Sequence, residues 1–253
     1  MSKKSSLGKK CRRLVAWLAA AYVLVNVWTY VQDMGKPTIL FVGDSVTDAK
    51  IEYKLWNPYS LYRYCYAWKL PFYHEALYAH GGWCRLVGER KGFNWYNAGS
   101  GGATLADNGQ RNAIVKRVKE LVKLKDFDYI IVSGGINDLE YNHWMGADNT
   151  SSIQALREIC ATLKETNSKV GFIIPYYTGK HVKDMHRYGD MMRSVCEEYG
   201  VPFLDQRESV VRLDTQEGVR KYGIAGKDWL HCNEEAYNIL ADDICRWMES
   251  LSR

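Results

Sequence analysis

The stretch "KPTILFVGDSVTDAK", residues 36–50, indicates the fold class of this chain. Its run from Thr38 to Val42 is β-branched and apolar, which predicts a buried strand. Gly43 ends the run, because glycine adopts backbone angles that other residues avoid. Ser45 follows closely, and open α/β sheets bind their ligands just past the carboxyl ends of strands. The stretch therefore predicts a buried strand that presents a serine at a ligand-binding edge.

Strand-like runs and helical patterns alternate along the chain after this stretch. Four more apolar runs follow: "GFNWYNAG", "FDYIIVSGG", "KVGFIIPYY" and "VPFLD". Patterns with apolar residues three or four positions apart lie between them: "QRNAIVKRVKELVKLK", "SIQALREICATLKET" and "DMHRYGDMMRSVCEEYG". Asn233 is a candidate N-cap for a last helix through residues 234–251. This alternation predicts an α/β fold in which helices wrap a central five-stranded parallel sheet.

The basic charge of the chain is concentrated at its amino terminus. Six of the 34 basic residues precede residue 14, with no acidic residue among them: Lys3, Lys4, Lys9, Lys10, Arg12 and Arg13. The other 28 basic residues are balanced by 29 acidic ones. Nucleic-acid binding calls for a basic face on the folded domain itself. The composition therefore predicts no nucleic-acid partner.

An uncharged apolar run, "LVAWLAAAYVLVNVWTYV", occupies residues 14–31. At about 1.5 Å per residue, a helix of this length just crosses a hydrocarbon core of roughly 30 Å. Trp17, Trp28 and Tyr30 lie near its ends, where amphipathic rings favour the membrane interface. We predict a single-pass signal anchor at 14–31, with residues 1–13 as a basic cytoplasmic tail. The alternative is a cleaved signal peptide and a secreted protein, although no clear small-x-small site follows the run.

The remainder of the chain is predicted to be a linker, residues 32–36, and one extracytoplasmic domain, residues 37–253. The domain is long enough to bury a single sizeable core. Within it, residues 49–82 are an aromatic-rich insertion with no clean periodicity in the first half. Aromatic rings with polar edges suit contact with a sugar or an acyl chain. Alternatively, the insertion packs on the domain or lies on the membrane surface.

The seven cysteines give no sign of a metal site. They are Cys11, Cys65, Cys84, Cys160, Cys196, Cys232 and Cys245, with neither a CxxC pair nor the His/Cys spacing of metal ligands. We therefore predict no metal and no other cofactor. Outside the cytoplasm some of these cysteines can pair, and the sequence does not say which.

Four short motifs lie at predicted strand ends or just before the last helix. In order they are Gly43-Asp44-Ser45, "NAGSGGAT" at 97–104, "GGIND" at 134–138 and "DWLHCN" at 228–233. Glycines in the second motif let a ligand approach backbone N–H groups closely. A phosphate-binding loop is the rival interpretation, but the chain has neither a Walker-type motif nor a GxGxxG fingerprint. The predicted fold can bring the four motifs to one edge of the sheet.

The motifs contain the groups that acyl transfer requires. Ser45 is the candidate nucleophile, and His231 is its candidate base, because histidine is the usual proton acceptor near neutral pH. Asp228, three residues earlier, can accept the other ring N–H and stabilise the imidazolium. Asn137 offers a side-chain amide to the developing oxyanion, and Gly102 and Ser45 offer backbone N–H groups.

Together the four motifs resemble the four sequence blocks of the SGNH/GDSL esterase-lipase superfamily, over roughly residues 37–250 and in the family's order. The resemblance implies a flavodoxin-like three-layer α/β/α sandwich and metal-free serine hydrolysis of esters. It also implies that Ser45, Gly102, Asn137 and His231 occupy the positions of the family's catalytic serine, glycine, asparagine and histidine.

The second block departs from the family pattern at one position. The family usually has a serine where this chain has Gly101, and alignment on Asn97 places the donor glycine at Gly102. A different register would make Gly99 or Gly101 the donor instead.

Four residues are candidate substrate contacts, namely Asp44, Tyr141, His143 and Trp144. Asp44 directly precedes the serine, and it can equally brace the turn. Tyr141 and Trp144 follow the third motif and are candidate pocket walls. His143 lies between them and is a candidate substrate contact, although a plain surface or core histidine is the simpler interpretation.

The leading functional hypothesis is a membrane-anchored serine esterase outside the cytoplasm. It would remove small acyl groups such as acetyl from a carbohydrate through an acyl-Ser45 intermediate. One alternative is a lipase, lysophospholipase or thioesterase that acts on acyl chains, and another is an O-acyltransferase that excludes water. An inactive glycan-binding module is the non-enzyme alternative, although binding alone does not require a nucleophile beside its base.

Overall fold

The computed structural model describes residues 10–21, 35–48, 82–109, 113–145, 148–179 and 182–251, without the side chains of 143–145 and 182–183. The chain divides into two compact units, Met1–Lys36 and Pro37–Arg253. The predicted insertion at 49–82 lies outside the described residues except for Gly82.

The amino-terminal unit is helical over residues 10–21. Only residues 14–21 of the predicted anchor at 14–31 therefore fall within the described ranges. In those ranges no helix is both long enough and apolar enough to cross a membrane.

The larger unit is built on a five-stranded sheet, in the order β2-β1-β3-β4-β5, with every neighbouring pair parallel. Its strands are β1 Thr38–Gly43, β2 Asn94–Gly99, β3 Tyr129–Ser133, β4 Lys169–Ile174 and β5 Phe203–Asp205. This is the order of flavodoxin-like doubly wound sheets. The five-stranded parallel sheet predicted from the sequence is thus confirmed.

Eight helices are described in this unit: α1 Ser45–Asp48, α2 Gly82–Lys91, α3 Ile114–Leu121, α4 Ile136–Met145, α5 Thr150–Lys164, α6 Val182–Tyr199, α7 Gln216–Tyr222 and α8 Glu234–Ser250. Asn233 caps α8, because its side-chain oxygen accepts a hydrogen bond from the backbone N–H of Ala236 at 3.0 Å. The predicted N-cap is therefore confirmed, whereas α1, α2, α4 and α7 were not predicted.

The core lies on both faces of the sheet, because alternate strand residues point to opposite sides. Leu40 and Val42 pack in a cluster with residues of α3, α5 and α6. Ile39 and Phe41 pack in a second cluster with residues of α2 and α8. The sheet is therefore the middle of three layers, and its first strand is buried on both faces.

The loops that follow β1, β2 and β3 begin at the same edge of the sheet. Gly43 is in register with Gly99 of β2, and Val42 is in register with Val132 of β3. A Cβ at Gly43 would lie 2.1 Å from the hydroxyl oxygen of Thr47 and 2.7 Å from the carbonyl oxygen of Ser133. A glycine here thus lets the chain turn tightly from β1 into α1, against the end of β3.

Candidate active site

Ser45 is the first residue of α1 and is half-buried, so its hydroxyl is within reach of a ligand. The turn before it is fixed by Asp44, whose carboxylate accepts a hydrogen bond from the backbone N–H of Val46 at 2.9 Å. The carbonyl oxygen of Asp44 also accepts from the N–H of Asp48 at 2.8 Å. The N–H groups of a first helical turn have no partner within the helix. The backbone N–H of Ser45, one of the predicted oxyanion donors, belongs to this first turn.

His231 and Asp228 lie in one loop before α8 and reach Ser45 across the sheet edge. The Nε2 atom of His231 is 3.0 Å from Oγ of Ser45, and Nδ1 is 3.0 Å from Oδ2 of Asp228. Because the carboxylate only accepts, Nδ1 carries the proton and Nε2 is left to accept from the serine. The three side chains therefore form the hydrogen-bonded chain of a catalytic triad.

The triad loop holds its own acid in place. Oδ1 of Asp228 accepts hydrogen bonds from the backbone N–H groups of Leu230 and His231 at 2.8 and 2.9 Å. Partial burial alone would raise the pKa of Asp228, but these two N–H groups and the imidazole together hold it below its usual value. The carboxylate is therefore ionised at neutral pH and can stabilise a positive imidazole.

The other two predicted oxyanion donors, Gly102 and Asn137, follow β2 and β3 in the chain. Asn137 is half-buried in the first turn of α4, and its Nδ2 donates to the carbonyl oxygen of Ala103 at 2.9 Å. An amide nitrogen has two N–H bonds, so a second donor remains on the same atom. Gly102 lies in the turn that the N–H of Ala103 closes onto the carbonyl oxygen of Ser100, and its φ is +72°.

The hydrogen bonding of the second motif argues against Gly99 as the donor, and the positive φ of Gly102 explains why a glycine occupies that position. The N–H of Gly99 donates to the side-chain oxygen of Asn97 at 2.8 Å, and a Cβ there would lie 2.2 Å from the backbone nitrogen of Asp48. The glycine at position 99 is therefore explained by the close approach of its backbone to α1. Gly101 is exposed and has no positive φ, so any residue fits its backbone.

Asp138 ends the third motif, and its role in the site was not predicted from the sequence. It is 2% exposed, and its carboxylate accepts from the backbone N–H groups of Leu105 and Ala106 at 2.7 and 3.1 Å. Burial raises the pKa of Asp138 to about 6, although these two N–H groups oppose the rise. The carboxylate thereby ties α4, which carries Asn137, to the loop that carries Gly102.

The four candidate substrate contacts differ in what the structure shows of them. Asp44 is 2% exposed and braces the turn, which favours the second of its two proposed roles. Burial raises the pKa of Asp44 to about 6, with the Val46 N–H and the charge of His231 acting in the opposite direction. Tyr141 is half-buried on α4. The side chains of His143 and Trp144 lie outside the described residues.

The arrangement can carry out acyl transfer with groups of this chain alone. It places a serine hydroxyl, a histidine base, an orienting carboxylate and an amide donor at one edge of the sheet. Within the described ranges, no three His, Cys, Asp or Glu side chains are grouped as a metal site requires. These features define the class of serine hydrolases.

The profile of the GDSL-like Lipase/Acylhydrolase family matches residues 41–239, and the chain belongs to this family. The resemblance seen in the sequence is therefore confirmed. The protein is a serine hydrolase that acts on esters. None of the curated proteins compared with the chain matches it significantly.

Solved structures share the fold at low sequence identity. An acetyl xylan esterase, AlAXEase, is 19% identical over 82% of this chain and 97% of its own, with a TM-score of 0.58. A catalytic mutant of an acetylxylan esterase from Geobacillus stearothermophilus is 18% identical over 85% and 94%, with a TM-score of 0.57. The esterase EstA from a Pseudoalteromonas species is 14% identical over 84% and 97%, with a TM-score of 0.56. At these identities the likeness is one of fold.

Replacing Asp138 by Asn tests the tie between the two oxyanion loops. The amide keeps one acceptor and turns an N–H toward a backbone N–H, so we expect the 103–106 loop to shift. We expect kcat on p-nitrophenyl acetate to fall about tenfold or more, with little change in KM, because the displaced donors act on the transition state. Asp107→Asn makes the same change in the same loop at an exposed site and should leave kcat within about twofold. An unchanged kcat for Asp138→Asn would contradict the proposed tie.

The buried carboxyl of Asp44 should make stability depend on pH. Its pKa is raised from 3.8 to about 6, so the folded state binds the proton more tightly than the unfolded state. Stability is therefore lost as the pH rises through about 6. The free energy of unfolding of Asp44→Asn, taken relative to wild type, should increase by about 2 kcal/mol from pH 4.5 to pH 7. Urea unfolding at both pH values measures this, with the exposed Asp126→Asn as control, and a pH-independent difference would refute it.

Proposed function

We propose that this chain is a membrane-anchored serine esterase that removes small acyl groups, such as acetyl, from a carbohydrate outside the cytoplasm. The hydrogen-bonded chain from Ser45 through His231 to Asp228 is the observation that carries the proposal, because it is the machinery of a covalent acyl-enzyme mechanism. Asn137, in the first turn of α4 after β3, supplies an amide donor for the oxyanion.

In the acylation half of the reaction, His231 takes the proton of Ser45 as the serine oxygen attacks the ester carbonyl carbon. The negative charge moves to the carbonyl oxygen, which accepts from the backbone N–H groups of Ser45 and Gly102 and from the amide of Asn137. The intermediate collapses, the bond to the alcohol breaks, and the imidazolium gives its proton to the leaving oxygen. The acyl group is then bonded to Ser45.

In the deacylation half, His231 takes a proton from a water molecule, and the hydroxide attacks the acyl carbon. The same donors stabilise the second oxyanion, and the imidazolium returns its proton to Oγ of Ser45 as the acid leaves. Asp228 stays ionised throughout and stabilises the positive ring in both halves. An O-acyltransferase would use a sugar hydroxyl in place of this water.

Two observations support a small acyl group and a carbohydrate. Acetyl xylan esterases are among the structural neighbours, although at identities that carry the fold rather than the substrate. The aromatic-rich segment at 49–82 follows directly on α1, and its rings suit a sugar. The family description also includes lipases, so an acyl-chain substrate is the competing proposal. Membership of an enzyme family argues against an inactive glycan-binding module.

Esters of increasing chain length test the substrate. We expect the full-length protein in detergent to prefer p-nitrophenyl acetate over the butyrate and octanoate, and to release acetate from O-acetylated xylo-oligosaccharides. Ser45→Ala and His231→Ala should each lower kcat by about 10⁴-fold or more. A preference for octanoate would move the proposal to a lipase, and full activity of either variant would overturn the catalytic assignment.

The anchor at 14–31 is supported by its uncharged apolar sequence and by the helix over residues 10–21. We expect the chain to stay in the membrane pellet after alkaline carbonate extraction, with the esterase domain open to protease added to intact cells. Leu24→Lys combined with Val25→Lys puts two charges in mid-span and should release it, because each costs about 3 kcal/mol there. Recovery of a soluble form lacking residues 1–31 would favour a cleaved signal instead.

A further inference from the structure

Trp229 is an exposed aromatic residue inside the triad loop. It lies between Asp228 and Leu230 and two positions before His231, and 37% of its surface is exposed. Single exposed apolar residues are common on protein surfaces, so it is the position of this one, in the loop that carries the triad acid and base, that makes it a candidate ligand contact. The catalytic mechanism derived above makes no use of it.

The indole ring of Trp229 lies directly against Gly179, in the loop after β4. A Cβ at position 179 would lie 1.9 Å from Cε3 and 2.6 Å from Cδ2 of the indole. The carbonyl oxygen of Trp229 accepts from the N–H of Gly179 at 3.2 Å, and Tyr176 donates its hydroxyl to the carbonyl oxygen of Leu230 at 2.7 Å. The ring is therefore held from the protein side and presents its remaining surface to solvent.

The chemistry of the reaction places the alcohol half of the ester on this side of the site. Nε2 of His231 must deliver a proton to the leaving oxygen, so the alcohol leaves beside the imidazole. The oxyanion donors Gly102 and Asn137 come from loops after β2 and β3 and hold the carbonyl oxygen. Trp229, in the same short loop as His231, is thus positioned to contact the alcohol rather than the oxyanion.

Polar groups follow in the segment 212–214, which meets the same glycine as the ring, because a Cβ at Gly179 would also lie 2.9 Å from the carbonyl oxygen of Leu213. The guanidinium of Arg212 lies 4.5 Å from the ring centre of Tyr177 and bonds Asp214 through Nε at 2.8 Å. The N–H of Leu213 donates to the carbonyl oxygen of Tyr177, which joins this cluster to the loop of Gly179. An exposed indole face matches a pyranose, which has apolar C–H faces and a rim of hydroxyls that the polar groups of this segment can bind.

We propose that Trp229 is the stacking platform for the sugar ring that carries the ester. This inference rests on the proposed function, and it assigns the carbohydrate to the alcohol side of the site. Trp229 then sets specificity by holding the sugar so that its esterified oxygen lies beside Nε2 of His231. An ester of a small alcohol gains nothing from the platform.

Two kinds of ester separate platform binding from catalysis. We expect Trp229→Ala in the full-length protein to raise KM for O-acetylated xylo-oligosaccharides and peracetylated glucose about tenfold, which corresponds to a loss of about 1.4 kcal/mol of binding. Turnover of ethyl acetate, followed by acid release at constant pH, should stay within about twofold. p-Nitrophenyl esters do not serve here, because nitrophenol is itself a ring that can stack on the indole.

Three further variants serve as matched tests. Trp229→Phe keeps a flat ring and should recover part of the sugar affinity. Gly179→Ala keeps the tryptophan but places a Cβ 1.9 Å from its ring and 2.9 Å from the carbonyl oxygen of Leu213, so the ring must move and KM for the sugar esters should rise. Val210→Ala shortens an apolar residue that is 66% exposed and lies outside this loop, and it should change neither kcat nor KM for either kind of ester.

The outcomes distinguish this inference from the function on which it rests. A loss of kcat/KM on ethyl acetate as large as the loss on the sugar esters would show that Trp229 merely supports His231. Unchanged kcat and KM on the sugar esters would refute the platform and leave the esterase assignment standing. Ser45-dependent turnover of ethyl acetate without turnover of either acetylated sugar would overturn the carbohydrate substrate and the platform together.

Discussion

The hydrogen bond between Ser45 and His231 is the contact on which the site depends. It joins residues 186 positions apart, one just after β1 and the other just before α8. It forms only when the parallel sheet and the last helix are both in place. Asp228, by contrast, is three residues from His231 and orients the ring within one loop. The sheet therefore sets the distance between nucleophile and base, and the loop sets their orientation.

Ser45 and Asn137 each have a buried acid as a neighbour in the chain. Asp44 precedes Ser45, and Asp138 follows Asn137, and both acids are 2% exposed with a pKa of about 6 because of burial. Their oxygens accept backbone N–H groups of the loops that form the site. Burying a carboxylate opposes folding, so these two acids lower the stability of the protein, while their hydrogen bonds keep the loops of the site rigid.

The sheet could be predicted from sequence because β1 and its neighbours are buried on both faces and have a simple apolar pattern. The positions of Ser45 and His231 followed from strand ends and a helix start. The donor glycine could not be fixed from sequence, because the features that distinguish these glycines, the hydrogen bond from the N–H of Gly99 to Asn97 and the φ of +72° at Gly102, exist only in the folded loop. The role of Asp138 depends on the N–H of Leu105, and that of Trp229 depends on Gly179. Each partner is distant in sequence, so no local pattern predicts either role.

The triad mixes local and long-range contacts, and this has a consequence for how the enzyme would inactivate. The Asp228–His231 pair rests on short-range bonds in its own loop, whereas the Ser45 contact spans most of the chain. Contacts between distant segments carry the larger loop-closure entropy. Partial opening of the sheet edge would therefore separate the nucleophile from an otherwise assembled acid–base pair, and esterase activity would disappear before the bulk of the secondary structure melts.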